Sequence, residues 1–129
     1  MAPHSERSRF AVRPADDRPA GGAPYGAWWP RSRVLAEQLG ALFTSWPPQQ
    51  PRINRVLFSP PDWDDRPRKV LIDGHWVKTG NFPGDDTHLV TLSLSDGSRR
   101  TIEVIAPDTT EAAAGRILDK MAAPAVGAR

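Results

Sequence analysis

The chain of 129 residues carries 17 basic and 15 acidic side chains, a net charge of +2, and no cysteine. That length fits one domain, and the missing cysteines exclude disulfides, thiol catalysis, Cys-ligated zinc and iron–sulfur clusters. No apolar run approaches the roughly 18 residues of a membrane span, and residues 1–8 lack the apolar core of a signal peptide, so the expectation is a cytoplasmic protein without a membrane partner. The near-balance of charge permits nucleic-acid binding without implying it.

Taken in chain order, residues 1–8 read as a disordered N-terminus. Arg9-Phe10-Ala11-Val12-Arg13 then alternates polar and apolar side chains until Pro14 removes a backbone donor, which predicts a short edge strand. Residues 15–24, rich in Pro, Gly and Ala, predict a mobile connection. Leu35, Leu39, Leu42, Phe43 and Trp46 recur at i, i+4, i+7, i+8 and i+11, the apolar stripe of a helix of about four turns. Pro30 suits its first turn, or Ser32 its cap, and Pro47-Pro48 stops it. Gly40, inside that helix, marks close approach to another element.

Ile53 to Ser59 reads as a strand closed by Pro60-Pro61. Lys69-Val70-Leu71-Ile72 leads through Asp73-Gly74, whose tolerance of positive φ favours a type I′ turn, into His75-Trp76-Val77-Lys78-Thr79. A second hairpin runs from His88 to Leu94 and from Thr101 to Ile105 around Ser95-Asp96-Gly97-Ser98. A last helix starts after Pro107, with Asp108 as cap and Glu111 closing a capping box, presents Ala113, Ile117 and Met121 with Leu118 beside them, and ends before Pro124. Together these predict one α+β domain over residues 9–123 and a flexible tail at 124–129. Its core is a twisted antiparallel sheet of five or six strands packed by two helices on one face. A partial barrel and a helix-grip arrangement enclosing a cavity are both compatible with that order.

Trp28-Trp29-Pro30-Arg31-Ser32-Arg33 places two cations where a helix dipole is already positive, which calls for an anion nearby. One reading is a ligand site in which helix amides and the guanidinium groups of Arg31 and Arg33 hold an anion beside Trp28 or Trp29. The other is structural: the tryptophans anchor the helix, and the anion is Glu37 or an acid of Asp62-Trp63-Asp64-Asp65.

Trp63, Trp76 and Phe82, with Arg52, Arg55, Arg66, Arg68 and Lys69 around them, form an alternative aromatic and basic surface for single-stranded nucleic acid. Asp62, Asp64 and Asp65 interrupt it and would repel phosphate, so nucleic acid is not the favoured partner. Asp85-Asp86-Thr87-His88, with His75 and Asp73, is the one His and carboxylate cluster, and it lacks the spacing of a metal motif. No phosphate loop and no Gly-x-Ser-x-Gly elbow occurs. No catalytic residue, metal or cofactor is assigned.

The string Gly26-Ala27-Trp28-Trp29-Pro30-Arg31-Ser32, followed by a Leu-rich helix and by Arg52-Ile53-Asn54-Arg55-Val56, resembles an uncharacterised family of small actinobacterial proteins over roughly residues 9 to 122. The likeness continues through Asp62-Trp63, Gly80-Asn81-Phe82, the His88 to Leu92 strand and Pro107-Asp108-Thr109. Members of that family carry an acid before Gly-Ala-Trp-Trp and a Trp between the later Gly and Phe, where this chain has Tyr25 and Asn81. The resemblance implies a bacterial cytoplasmic origin and supplies no catalytic residues.

The function expected from the sequence is thus a non-enzymatic binding or regulatory module. Its surface is Trp28, Trp29, Arg31 and Arg33, and its partner is a protein or an anionic ligand. A single-stranded nucleic-acid binder using Trp63, Trp76, Arg52 and Arg55, and a small-ligand carrier with an internal cavity, are the alternatives.

Overall fold

The computed structural model describes residues 9–13, 24–81 and 88–123. Its elements are β1 (Phe10–Val12), β2 (Gly26–Trp28), α1 (Leu35–Ser45), β3 (Ile53–Phe58), β4 (Lys69–Ile72), β5 (His75–Asn81), β6 (Leu89–Leu94), β7 (Arg99–Val104) and α2 (Glu111–Ala122), with a 3₁₀ turn at Pro60–Asp62. The expected disordered N-terminus at 1–8, all but the last residue of the connection expected to be mobile at 15–24, the tail at 124–129, and Phe82, Asp85, Asp86 and Thr87, lie outside the described residues.

Both hairpins form where local turn chemistry favours them. Asp73 and Gly74 take φ of 50° and 79°, a geometry that glycine and aspartate tolerate, and fold β4 against β5. Gly97, at φ 89°, does the same between β6 and β7. The seven strands form one open sheet in the order β1-β2-β7-β6-β3-β5-β4, with β1 at an edge as its alternation predicts.

The sheet corrects the expectation of five or six antiparallel strands and of a partial barrel. Among the described residues it has seven strands, it does not close, and it is mixed: β2 runs parallel to β7, and β3 runs parallel to β5. Two physical reasons account for this. The three residues of β2 are all buried, so no alternation betrays a strand. Residues 59–68 carry the chain far enough to seat the second strand of the β4–β5 hairpin, rather than the first, beside β3.

The helices also lie on opposite faces. Leu35, Leu39 and Leu42 of α1 are fully buried against Val56, Phe58, Val90, Leu92 and Ile102, in one cluster with Trp28 and Trp63. Each such side chain contributes about 1.5–3 kcal/mol of burial. Ala114, Leu118 and Met121 of α2 pack instead on Ala27, Trp29 and Ile105, with Ala11 alongside. Residues alternate between faces along a strand, so Trp28 belongs to the α1 side and Ala27 to the α2 side. Gly26 is required where β1 crosses β2, because a Cβ there would sit 2.5 Å from the carbonyl oxygen of Ala11.

Three local expectations are also corrected. Helix α1 begins at Leu35, not near Pro30, and spans 11 residues, about three turns. Gly40 has no atom within 4 Å of its would-be Cβ, so no element approaches it. The cap of α2 is Thr110, whose hydroxyl accepts the Ala113 amide at 3.2 Å, and the buried stripe is Ala114, Gly115, Leu118 and Met121, turned from the expected one.

Candidate functional site

The start of α1 is built from residues distant in sequence. Its N-cap, Val34, offers no side-chain acceptor, and the vacant role is filled by Asp65. The carboxylate of Asp65 accepts the amides of Leu35 at 2.6 Å and Ala36 at 3.0 Å. An anion at a helix N-terminus is favoured by the exposed amides and the macrodipole, and here the chain supplies its own. Ser32 accepts from the Val34 amide at 3.2 Å and from the Gln38 side chain, and the Gln38 oxygen accepts the Arg31 amide at 2.8 Å.

The four residues expected to form a surface at this end divide. Trp28 and Trp29 are buried, at 2% and 6% exposure, on opposite faces of the sheet. They therefore form no exposed apolar patch. Trp28 packs on Trp63, ring centres 5.6 Å apart, and Arg9 covers the Trp29 ring at 3.8 Å while donating to the Trp29 carbonyl at 2.9 Å. Burial first, and then Arg31, pull the Arg9 guanidinium below its ordinary pKa, with Glu111 opposing them. Arg33 donates to the Asp62 carbonyl at 3.2 Å and lies 3.8 Å from Asp108. Arg31 is exposed and lines, with Arg9, Trp29 and Gln38, a cleft of about 30 Å³.

The acids of residues 62–65 stand on the α1 side. Asp62 is buried; it accepts the backbone amide of His88 through one carboxylate oxygen, and its other oxygen is 3.9 Å from His88 Nε2. His75 is exposed at the start of β5. Among the described residues no group of three His, Asp or Glu side chains is arranged to hold a metal.

The opposite face of the sheet presents a different surface. Helix α2 covers only its β1–β2 end, and among the described residues no helix packs over β6, β3, β5 and β4 on that side. The register places Lys69 of β4 opposite Lys78 of β5, Lys78 opposite Arg55 of β3, Arg55 opposite Ser93 of β6, and Ser93 opposite Arg99 of β7. The four cations are exposed, and the row crosses the strands over roughly 19 Å at the usual strand spacing. Like charges directly opposite on neighbouring strands destabilise a sheet, yet no carboxylate among the described residues pairs with any of them.

Beside the row stand Trp76, 59% exposed, and its cross-strand partner Leu71, 55% exposed. The Lys69 ammonium leans over the Trp76 ring at 4.5 Å. Arg55 crosses above Gly80, whose missing side chain leaves it room: a Cβ there would lie 3.5 Å from the guanidinium. Of the residues expected on an aromatic and basic surface, Arg55, Lys69 and Trp76 thus share this face. Trp63, 3% exposed, is in the core on the other side. Arg52 precedes β3, with its amide donating to the Ser95 hydroxyl at 3.2 Å. Lys78 and Arg99 were not legible as members, because only the strand register brings them to Arg55.

Fold and site together define an α+β domain with one helix on each face of an open mixed sheet and a cationic row on the uncovered part. The chain belongs to the family described as "Family of unknown function (DUF5994)", which matches residues 9–121. No curated protein and no solved structure matched the chain. No helix among the described residues is long and apolar enough to cross a membrane.

Proposed function

We propose that this chain is a binding module for an extended anionic partner, held on the uncovered face of the sheet. One observation carries the reading: Lys69, Lys78 and Arg55 stand opposite one another on adjacent strands without a carboxylate partner, in line with Arg99. Such a row costs stability through like-charge repulsion, and a bound polyanion offsets that cost. The surface first expected, Trp28, Trp29, Arg31 and Arg33, is less suited to this role. Its tryptophans are buried, and the helix terminus behind it already holds Asp65.

Retention on a heparin or polyphosphate matrix at low salt tests the proposal. The chain is expected to be retained and to elute as salt rises, while Arg55→Glu combined with Lys78→Glu elutes early. Failure of the unaltered chain to bind any polyanion at low salt overturns the reading.

A further inference from the structure

We infer that the polyanion is a single-stranded nucleic acid, its backbone running along the cationic row, across the strands, with a base stacked on Trp76. This rests on the proposed reading of the sheet face as an anion-binding surface, and three features favour a nucleic acid over other polyanions.

The first is the line itself. Lys69, Lys78, Arg55 and Arg99 follow a single cross-strand register, so their charges repeat along a path roughly 19 Å long rather than converging on a point. A linear, regularly charged backbone matches such a path; a single phosphate or carboxylate does not.

The second is the indole beside the line. Trp76 and Lys78 are two residues apart on β5 and share a face, and Trp76 is 59% exposed on a chain whose Trp28, Trp29 and Trp63 are buried. An exposed tryptophan on a sheet is poorly placed for folding and well placed for stacking, the contact by which single-strand binders hold bases of any sequence. Lys69 lies over the same ring, and its flexible stem lets the ammonium move aside to a phosphate when a base stacks there. An acidic peptide or polyphosphate has no ring to offer Trp76, and a duplex keeps its base faces stacked inside.

The third is the position of the acids. Asp62 and Asp65, which in the sequence seem to interrupt a basic aromatic surface, are engaged on the α1 side with His88 and with the start of the helix. The row itself contains no acid. Its one neutral member is Ser93, so it offers little with which to read base edges, and binding is expected to be largely independent of sequence.

The test is fluorescence anisotropy with a labelled single-stranded 15-mer, competed by its duplex, by poly-glutamate and by polyphosphate. Expected are preference for the single strand and quenching of tryptophan emission. The logarithm of affinity should fall against the logarithm of salt with a slope of about −3, from four cations at about 0.7 each. Trp76→Ala should weaken the single strand at least fivefold while leaving poly-glutamate binding and the salt slope unchanged. Lys78→Ala should lower the slope by about 0.7. Both side chains are exposed, and circular dichroism is to check that the variants fold. Equal affinity for poly-glutamate or duplex, or indifference to Trp76→Ala, overturns the inference and leaves the anion-binding reading standing. Absence of binding to every polyanion overturns both.

Discussion

The carboxylate of Asp65 accepts the amide of Leu35 at 2.6 Å, thirty residues away in sequence, and its second oxygen accepts the amide of Ala36. The first turn of α1 is thereby completed from the loop that leads to β4. Asp65 fixes the helix to the segment carrying Trp63, and Trp63 fixes that segment to Trp28.

Removing the carboxylate should therefore loosen helix and loop together. Asp65→Ala leaves two amides without their charged acceptor and should cost about 1–3 kcal/mol, with Asp65→Asn losing less because one oxygen remains. Urea unfolding midpoints measure both. A loss under about 0.5 kcal/mol in the alanine variant would mean that water serves these amides equally well.

Trp63 is buried, and among the described residues its indole N–H has no acceptor. A buried donor without an acceptor costs about 1–3 kcal/mol, so Trp63→Phe removes a penalty as well as part of a ring. Its net effect should fall within about 1 kcal/mol, against about 3–5 kcal/mol for Trp63→Ala. Thermal unfolding of the pair separates the terms: a phenylalanine variant as damaged as the alanine variant would show that the ring contact with Trp28 dominates.

Lys78 gives stability and binding opposite signs. Lys78→Glu exchanges two cross-strand repulsions, with Lys69 and Arg55, for attractions. It should raise stability by about 0.2–1 kcal/mol while making the chain elute from a polyanion matrix at lower salt than the parent. A variant less stable than the parent in chemical unfolding would contradict the account of the row as electrostatically strained.

The β6–β7 turn has a measurable acid signature. Hydrogen bonds from the Ser98 hydroxyl and then from the Ser98 amide, at 2.5 and 2.9 Å, hold the Asp96 carboxyl below its ordinary pKa. Because the folded value is the lower one, Asp96 stabilises the turn above the ordinary carboxylate range and loses that contribution as pH falls through its folded value. Side-chain NMR titration should find Asp96 returning toward the ordinary value in Ser98→Ala.

Features written in neighbouring residues were legible in the sequence. Asp73-Gly74 and Ser95 to Ser98 specified both hairpins, and Leu35, Leu39 and Leu42 specified the buried stripe of α1. What escaped depends on residues that meet only after folding. Asp65 was one of several acids that could serve Leu35, and the parallel pairings depend on how a long connection crosses the sheet. Trp63 and Trp76 both stand among charged neighbours, so local pattern could not assign one to the core and the other to solvent. The cationic row is legible only in part for the same reason: Arg55 and Lys69 fall in the expected basic surface, and register alone aligns them with Lys78 and Arg99.

The pairing of β2 with β7 also sets a timetable. Trp28 ends β2 and Arg99 opens β7, so the N-terminal ribbon is synthesised about 70 residues before its partner, an interval of roughly 4–14 s at ordinary translation speeds. Throughout that interval Trp28, Trp29 and Phe10 have no sheet to enter, and a growing chain carries three large aromatic side chains in water. The ribbon that closes one side of the finished domain is thus the part of the sheet that waits longest for its partner strand.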